Sequence, residues 1–243
     1  MSRPIKTMRR PIKTMIDLNA DVAEGSGTEE QLAPFCTSWN LCCGAHAGGP
    51  EAIRFALELA RQFNIHCGAH PGHADKANFG RVIRKLNRHD LRQLIVPQLD
   101  FVAKAAQQAG QILWHLKLHG ALYHQAGSDL ELASETLIIA QEYRLKLFGL
   151  SGSLLEELST PFGIFVAEGF ADRGMDEKGG LLPREAPGGV LCDPTATAKQ
   201  ALGLAQSGRI RTLCVHGDSP NASLTLKAAR NILLENHFLI SPP

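Results

Sequence analysis

Residues 42–73 read CCGAHAGGPEAIRFALELARQFNIHCGAHPGH and contain the tripeptide Gly-Ala-His twice, with His46 and His70 24 positions apart. Each copy ends an apolar run, TSWNLCCGAH over 37–46 and NIHCGAH over 64–70. Between them Pro50 stands near a helix start, and Ile53, Leu57 and Ala60 recur at helical spacing. Strand, helix, strand within this length is a β-α-β unit, whose two strands run parallel. The repeat then has a simple origin. Two successive strands deliver a histidine to one rim, where neighbouring glycines allow close backbone approach.

The alternation extends along the chain. Strands are expected to begin near Ile16, Asn40, Ile65, Leu113, Leu145, Ile164 and Thr212. Further helices are expected over 87–109 (with Pro97 inside and Gly110 closing it), 129–142, 152–159, 193–208 and 220–235. About seven such units without a linker predict one α/β domain over 15–243, a (β/α) barrel with a parallel sheet covered on both faces. A doubly wound open sheet is the competing architecture. Residues 1–14 stand apart, because RPIKTM occurs at 3–8 and again at 10–15 and the segment lacks apolar periodicity. They are expected to be a disordered leader or an extended start.

Composition excludes several function classes. A net charge of +1 over 243 residues gives no electrostatic case for nucleic acid or an anionic membrane. None of the apolar runs is long enough to span a bilayer. The six cysteines form no C-x-x-C and lie mostly inside apolar runs, so they read as buried reduced thiols of a cytoplasmic protein.

In parallel α/β folds the chemistry comes from the C-terminal ends of strands. Here those ends carry Asp17, Asn19 and Asp21 (with Glu24 beyond), His46, His70, Lys117 and His119, Glu168, Asp172 and Arg173, and His216 and Asp218. Asp17, Asn19 and Asp21 share one parity, so all three are expected to face inward. Two chemistries are open. Asp17, Asp21, His46 and His70 can hold a divalent metal that activates water. Alternatively, histidines and aspartates act as general acid and base, while Lys117 and Arg173 bind a carboxylate. His66, His73, His89, His115, His124 and His237 read as structural. Neither a P-loop nor a G-x-G-x-x-G follows the first strand. The glycine-rich run DRGMDEKGGLLPREAPGGV (172–190), with Arg173, Lys178 and Arg184, is the one candidate phosphate clamp.

Six ordered blocks, IDLNADVAEG, NLCCGAHAGGPEAI, GAHPGHADKANFGR, KLHGALYH, EGFADRGMDEKGGLLPR and VHGDSPNA, resemble the LamB/YcsF family over residues 16 to about 230. The resemblance implies a (β/α)-barrel-like fold similar to that of glycoside hydrolases and polysaccharide deacetylases. It implies ATP-dependent opening of 5-oxoproline to L-glutamate by a 5-oxoprolinase, with magnesium and ATP as co-substrate and with partner subunits B and C. On that scheme Asp21, His46, His70 and His119 position and deprotonate water. Asn19, Lys117, Glu168, Asp172, Arg173, His216 and Asp218 hold substrate or phosphate. The rim departs from the family pattern: Gly-Phe-His-Ala-Gly-Asp appears as Gly44 to Gly49 with Ala45 and Gly49, and the block at 117–124 ends in His124 in place of Asn. The alternative readings are a stand-alone metal-dependent hydrolase or deacetylase and a non-catalytic scaffold subunit.

Overall fold

In the computed structural model, which describes residues 14–176, 180–219 and 221–243, each strand is separated from the next by one or two helices. The order is β1 (Met15–Val22), α1 (Glu29–Leu32), β2 (Ser38–Cys42), α2 (Pro50–Phe63), β3 (His66–His70), α3 (Arg88–Gln108) and β4 (Leu113–Leu116). It continues with α4 (Gly120–Ser128), α5 (Leu130–Glu142), β5 (Lys146–Leu150), α6 (Leu154–Ser159), β6 (Phe165–Phe170), α7 (Pro194–Gln206), β7 (Thr212–Cys214), α8 (Ala222–Glu235) and β8 (Leu239–Ile240).

β1 closes the sheet. It pairs in parallel with β2 from Asn19↔Ser38 to Val22↔Leu41, and with β7 from Asp17↔Thr212 to Asn19↔Cys214. The remaining neighbours follow in chain order from β2 to β7, all parallel, so seven strands form a barrel and the open-sheet alternative falls. Among strands and α-helices of the described residues, three short ones lie beyond those expected from the sequence: α1, α4 and β8. α4 carries Gly120 and Gly127, which mimic a turn, yet Leu122 and Ala126 are buried one helical turn apart. β8 adds two residues beside Met15 and Ile16 at the barrel base. Of the sequence-predicted leader, residues 1–14, positions 1–13 lie outside the described residues. Its last position, Thr14, accepts a hydrogen bond from the Leu239 N–H.

The period of two along β1 sorts the core from the site. Ile16, Leu18, Ala20 and Val22 are buried; facing away from the interior carboxylates, they pack beneath the helices, each stabilising by about 1.5–3 kcal/mol if large and fully buried. Asp17, Asn19 and Asp21 face inward, as their shared parity predicts. The interior is therefore polar and must be internally bonded. At the base, Asp17 accepts from the hydroxyls of Thr37, Ser38 and Thr212 at 2.6, 2.8 and 2.5 Å. One layer up, Asn19 donates to Glu168 at 3.0 Å and accepts from Asn40 at 2.7 Å. His115 fills the adjacent space, with Nε2 2.7 Å from Asn40 Oδ1 and its ring stacked on Phe148. Only glycine fits opposite it, because a Cβ on Gly68 would lie 2.2 Å from the imidazole. Gly48 is fixed for a different reason: its φ is +55°, and a Cβ there would meet the Ala23 carbonyl at 1.8 Å. All six cysteines are free thiols and all but Cys192 are buried. Among the described residues no helix is long and apolar enough to cross a membrane.

Candidate active site

The strand C-termini open onto a cavity of about 320 Å³. Asp21, His70, Lys117 and His216 contribute to it from the strand ends, Tyr123 and Phe170 are apolar lining, and Arg81 and Arg184 come from the loops above. Lys117 is buried and paired on two sides, 2.9 Å from Asp21 and 2.9 Å from Glu168. Burial alone would lower its pKa; the two carboxylates and Cys214 outweigh burial and hold it well above the usual lysine value. Asp21 shows the converse. Burial would raise it, but His70 and Lys117 hold it well below the usual carboxylate range.

His216 is oriented by Asp172. Its Nδ1 lies 3.0 and 3.1 Å from the two Asp172 oxygens, and the same carboxylate accepts from the His216 backbone N–H and from Ser219. A carboxylate only accepts, so Nδ1 carries the proton. Nε2 is left facing Asp21 Oδ2 at 3.9 Å. Burial would raise the Asp172 pKa, and His216 more than offsets this, keeping the carboxylate ionised.

A second set of histidines adjoins the cavity. His70 Nε2 and His119 Nδ1 are 2.9 Å apart, and His46 stacks face to face on His119 at 3.6 Å. Burial pushes His46 down to about 3 and His119 well below the ordinary imidazole value. Glu24, its side chain enclosed beside them, is pushed well above the usual range by that enclosure and by the Asp21 charge. Two groups of donor atoms are close enough to share an ion: Glu24, His46, His70 and His119, and Asp21 with Cys214 and His216.

Several sequence-predicted positions need correcting. Asp17 joins no metal set among the described residues: strand rise of about 3.3 Å per residue puts it about 13 Å below Asp21, where three hydroxyls hold it. Asn19 and Glu168 lie one layer beneath the cavity and do not line it. His46 is also outside the lining, fully buried behind His119. Arg173 borders the cavity but spends its guanidinium on the Gly189 and Leu182 carbonyls, tying these two residues to the end of β6. Lys178, the third cation of the expected phosphate clamp, lies outside the described residues. Asp218 takes no buried position; it bridges Arg81 and Arg184 at 3.1 Å each. His73 pairs with Gln125, and His66 stacks on Trp114, as structural residues do. His124, also read as structural, lines the cavity.

The LamB/YcsF family model matches residues 16–243. The chain belongs to the LamB/YcsF family. Over 241 residues it is 36% identical to a protein of Neisseria meningitidis serogroup C named as the A subunit of 5-oxoprolinase, covering 93% of this chain and 98% of that one. The crystal structure of the lactam utilization protein from Thermus thermophilus superposes with a TM-score of 0.85 at 31% identity, covering 94% of this chain and 99% of the other. A peptidoglycan N-acetylglucosamine deacetylase catalytic domain from Eubacterium rectale superposes at 0.55 with 9% identity, over 97% of this chain and 90% of its own, which shows the shared fold alone.

Within this LamB/YcsF chain the cavity also recruits Arg81 and Tyr123, which strand-end reasoning missed because neither follows a strand directly. Arg81 ends the GAHPGHADKANFGR block and stacks over Phe79 at 4.7 Å. Tyr123 lies in α4, the helix the sequence hid. Its Oη and Glu168 Oε2 are buried without a hydrogen-bond partner among the described residues. Burial and the Glu168 charge hold the phenol well above its usual pKa.

Proposed function

We propose that this chain is the lactam-opening component of an ATP-dependent 5-oxoprolinase, working with two partner subunits, B and C, in the cytoplasm. The observation that carries this reading is the near-full-length match to chains named as the A subunit of 5-oxoprolinase. The cavity has the chemistry that the reaction needs. 5-Oxoproline is a small lactam bearing one carboxylate. Among the described residues, Arg81 and Arg184 at the mouth form ion pairs only with the partly exposed Asp218. A substrate carboxylate can exchange with it and be held by two charge-assisted bonds. Lys117 and Arg173 are committed elsewhere.

An amide resists water because it is resonance-stabilised. Transfer of the γ-phosphoryl group of magnesium-bound ATP to the lactam oxygen forms an O–P bond and releases ADP, leaving a ring carbon open to attack. Water adds, the ring C–N bond breaks and its nitrogen takes a proton. The resulting acyl phosphate, hydrolysed by a second water, gives glutamate and phosphate. His216, with Asp172 holding its Nδ1–H, is the group built to accept a proton at Nε2 and return it to the leaving nitrogen. Lys117 beside Asp21 steadies negative charge developing at the cavity floor. No phosphate-cradling loop follows β1, which supports assigning nucleotide handling to the assembled complex.

The test is to incubate the chain with 5-oxoproline, ATP and magnesium, alone and with cognate B and C subunits. Glutamate and ADP should form in equal amounts only in the complete mixture. Absence of turnover with all three subunits present overturns the reading.

A further inference from the structure

The contact between His70 and His119 poses a problem of protons. His70 Nδ1 lies 2.8 Å from the Lys117 carbonyl oxygen, and His119 Nε2 lies 2.8 Å from the Phe79 carbonyl oxygen. A carbonyl accepts and cannot donate, so each outer nitrogen carries its ring's proton. In the neutral imidazoles the inner nitrogens, His70 Nε2 and His119 Nδ1, are then lone pairs pointing at one another across 2.9 Å. The next atoms outward are acceptors as well: Asp21 Oδ2 at 3.4 Å from His70 Nε2, and Glu24 Oε1 at 3.6 Å from His119 Nδ1.

Glu24 sharpens the problem. Its side chain is only 5% exposed, and no Lys or Arg among the described residues pairs with it; its close neighbours are His46 and His119. Among the described residues His46 Nδ1 is buried without a partner, so its proton belongs on Nε2, which faces Glu24 Oε1 at 3.3 Å. That bond aims the Glu24 carboxylate at the two histidines and leaves Oε1 short of positive charge. Apart from the His46 N–H on Glu24, no Lys, Arg or backbone N–H among the described residues reaches the point on which these acceptors converge.

We propose that Glu24, His70 and His119 hold one divalent transition-metal ion of the zinc class, with His46 orienting Glu24. Two histidines and one glutamate are a donor set that zinc takes while leaving a position open. Metal–ligand bonds of about 2.0–2.1 Å at tetrahedral angles separate ligand atoms by about 3.3–3.4 Å. The two inner separations here are 2.9 and 3.6 Å, which bracket that value. The carbonyl contacts at His70 Nδ1 and His119 Nε2 are the outer hydrogen bonds that metal-bound imidazoles ordinarily make. Mixed nitrogen and oxygen donors favour zinc, manganese, iron or cobalt over calcium and magnesium, which take oxygen alone. His70 and His119 both line the cavity, so the ion is reachable from it. This assignment needs no assumption about substrate, ATP or partners.

The rival occupant of the point between the two rings is a single proton, making one ring an imidazolium or Glu24 a neutral carboxylic acid that donates to His119. Metal content of the full chain, purified without chelator, distinguishes the two, followed by chelator treatment and calorimetric titration with zinc chloride and, separately, manganese chloride. We expect close to one ion per chain and one-site binding of at least one of the two metals. His70→Ala and His119→Ala should each weaken binding at least about 100-fold, and His46→Phe about 10- to 100-fold as an orienting partner. Asp17→Asn, deep in the barrel, should bind as the parent does. Circular dichroism checks that each variant is folded, and the unmodified chain alone decides the case if one is not. A metal content near zero with no heat from either titration overturns the proposal in favour of the proton. So does binding undiminished in folded His70→Ala and His119→Ala. Because no reaction is measured, either result leaves the oxoprolinase test independent.

Discussion

Replacing Lys117 by methionine removes the ammonium that neutralises two carboxylates inside the barrel while keeping an unbranched apolar stem. Lys117 is 2% exposed, and both of its ion pairs are 2.9 Å long, to Asp21 and Glu168. Removing one partner of a buried pair leaves uncompensated charge and costs about 3–5 kcal/mol. Here two carboxylates are left, although Asn40 and Asn19 still donate to them at 2.7 and 3.0 Å, so the expected loss is within that range and not twice it. For a domain of this size that is a fall in Tm of roughly 6–20 °C. Denaturant unfolding followed by circular dichroism measures it. The sign of the pH dependence is a second check. The unneutralised carboxylates of the variant bind protons more readily folded than unfolded, so their cost is small at low pH and grows as pH rises. The deficit of Lys117→Met should therefore be smaller at pH 5 than at pH 8, and Lys117→Met/Glu168→Gln should recover part of it. A deficit below about 1 kcal/mol at pH 8, or one that shrinks as pH rises, refutes the reasoning that Lys117 balances the interior.

Asp172→Asn should lower kcat of the complete 5-oxoprolinase by about 10²–10⁴ with little change in Tm, because His216 loses its oriented tautomer; an unchanged kcat removes His216 from the proposed chemistry. Arg81→Ala and Arg184→Ala should each raise KM for 5-oxoproline about 10- to 100-fold with a smaller effect on kcat, as expected for one lost charge-assisted bond. Equal loss against the uncharged carboxamide of the substrate would show that they do not read the carboxylate. Asp17 is raised to about 6 by burial, partly offset by its hydroxyl donors. A raised carboxyl contributes stability that is present at low pH and lost as pH rises through about 6, amounting to roughly 3 kcal/mol. Asp17→Asn should flatten that part of the stability profile between pH 4 and 7 and leave turnover intact. A variant profile as steep as the parent's assigns the dependence to another group.

The barrel was legible because its signals are local. Gly-Ala-His at 44–46 and 68–70 marks two strand ends, and apolar spacing from Ile53 to Ala60 marks the helix between them. Inward parity of Asp17, Asn19 and Asp21 was legible for the same reason. Depth was not. Residues two apart on one face look equivalent in sequence, but the interior is layered, and layer decides role. Asp17 is spent on Thr37, Ser38 and Thr212, whereas Asp21 meets Lys117 at the cavity. Partner choice was equally hidden. Arg173 and Arg184 lie in one glycine-rich loop, yet the first bonds backbone carbonyls and the second reaches Asp218. Nothing in the residue types separates them; only the fold of the loop does.

The rim departures from the family pattern can now be separated by position. Gly49, where the family carries an aspartate, is the N-cap residue of α2. A Cβ there would touch nothing within 4 Å, and the position lines no part of the cavity. An aspartate at such a position caps a helix, and glycine in its place costs only a few tenths of a kcal/mol. Ala45, in place of the family's ring, precedes His46, and His46 is still enclosed by the rings of Phe79 and His119 at 5.7 and 3.6 Å. Loss of a ring there does not expose the histidine. His124 differs in kind, because it replaces an asparagine on the cavity wall itself and stands edge-on to Tyr123 at 5.7 Å. Of the three, it alone alters what a ligand meets. The machinery proposed for catalysis, Asp172 with His216 and Lys117 with Asp21, lies on the opposite side of that distinction, held by strand ends that none of these substitutions touches.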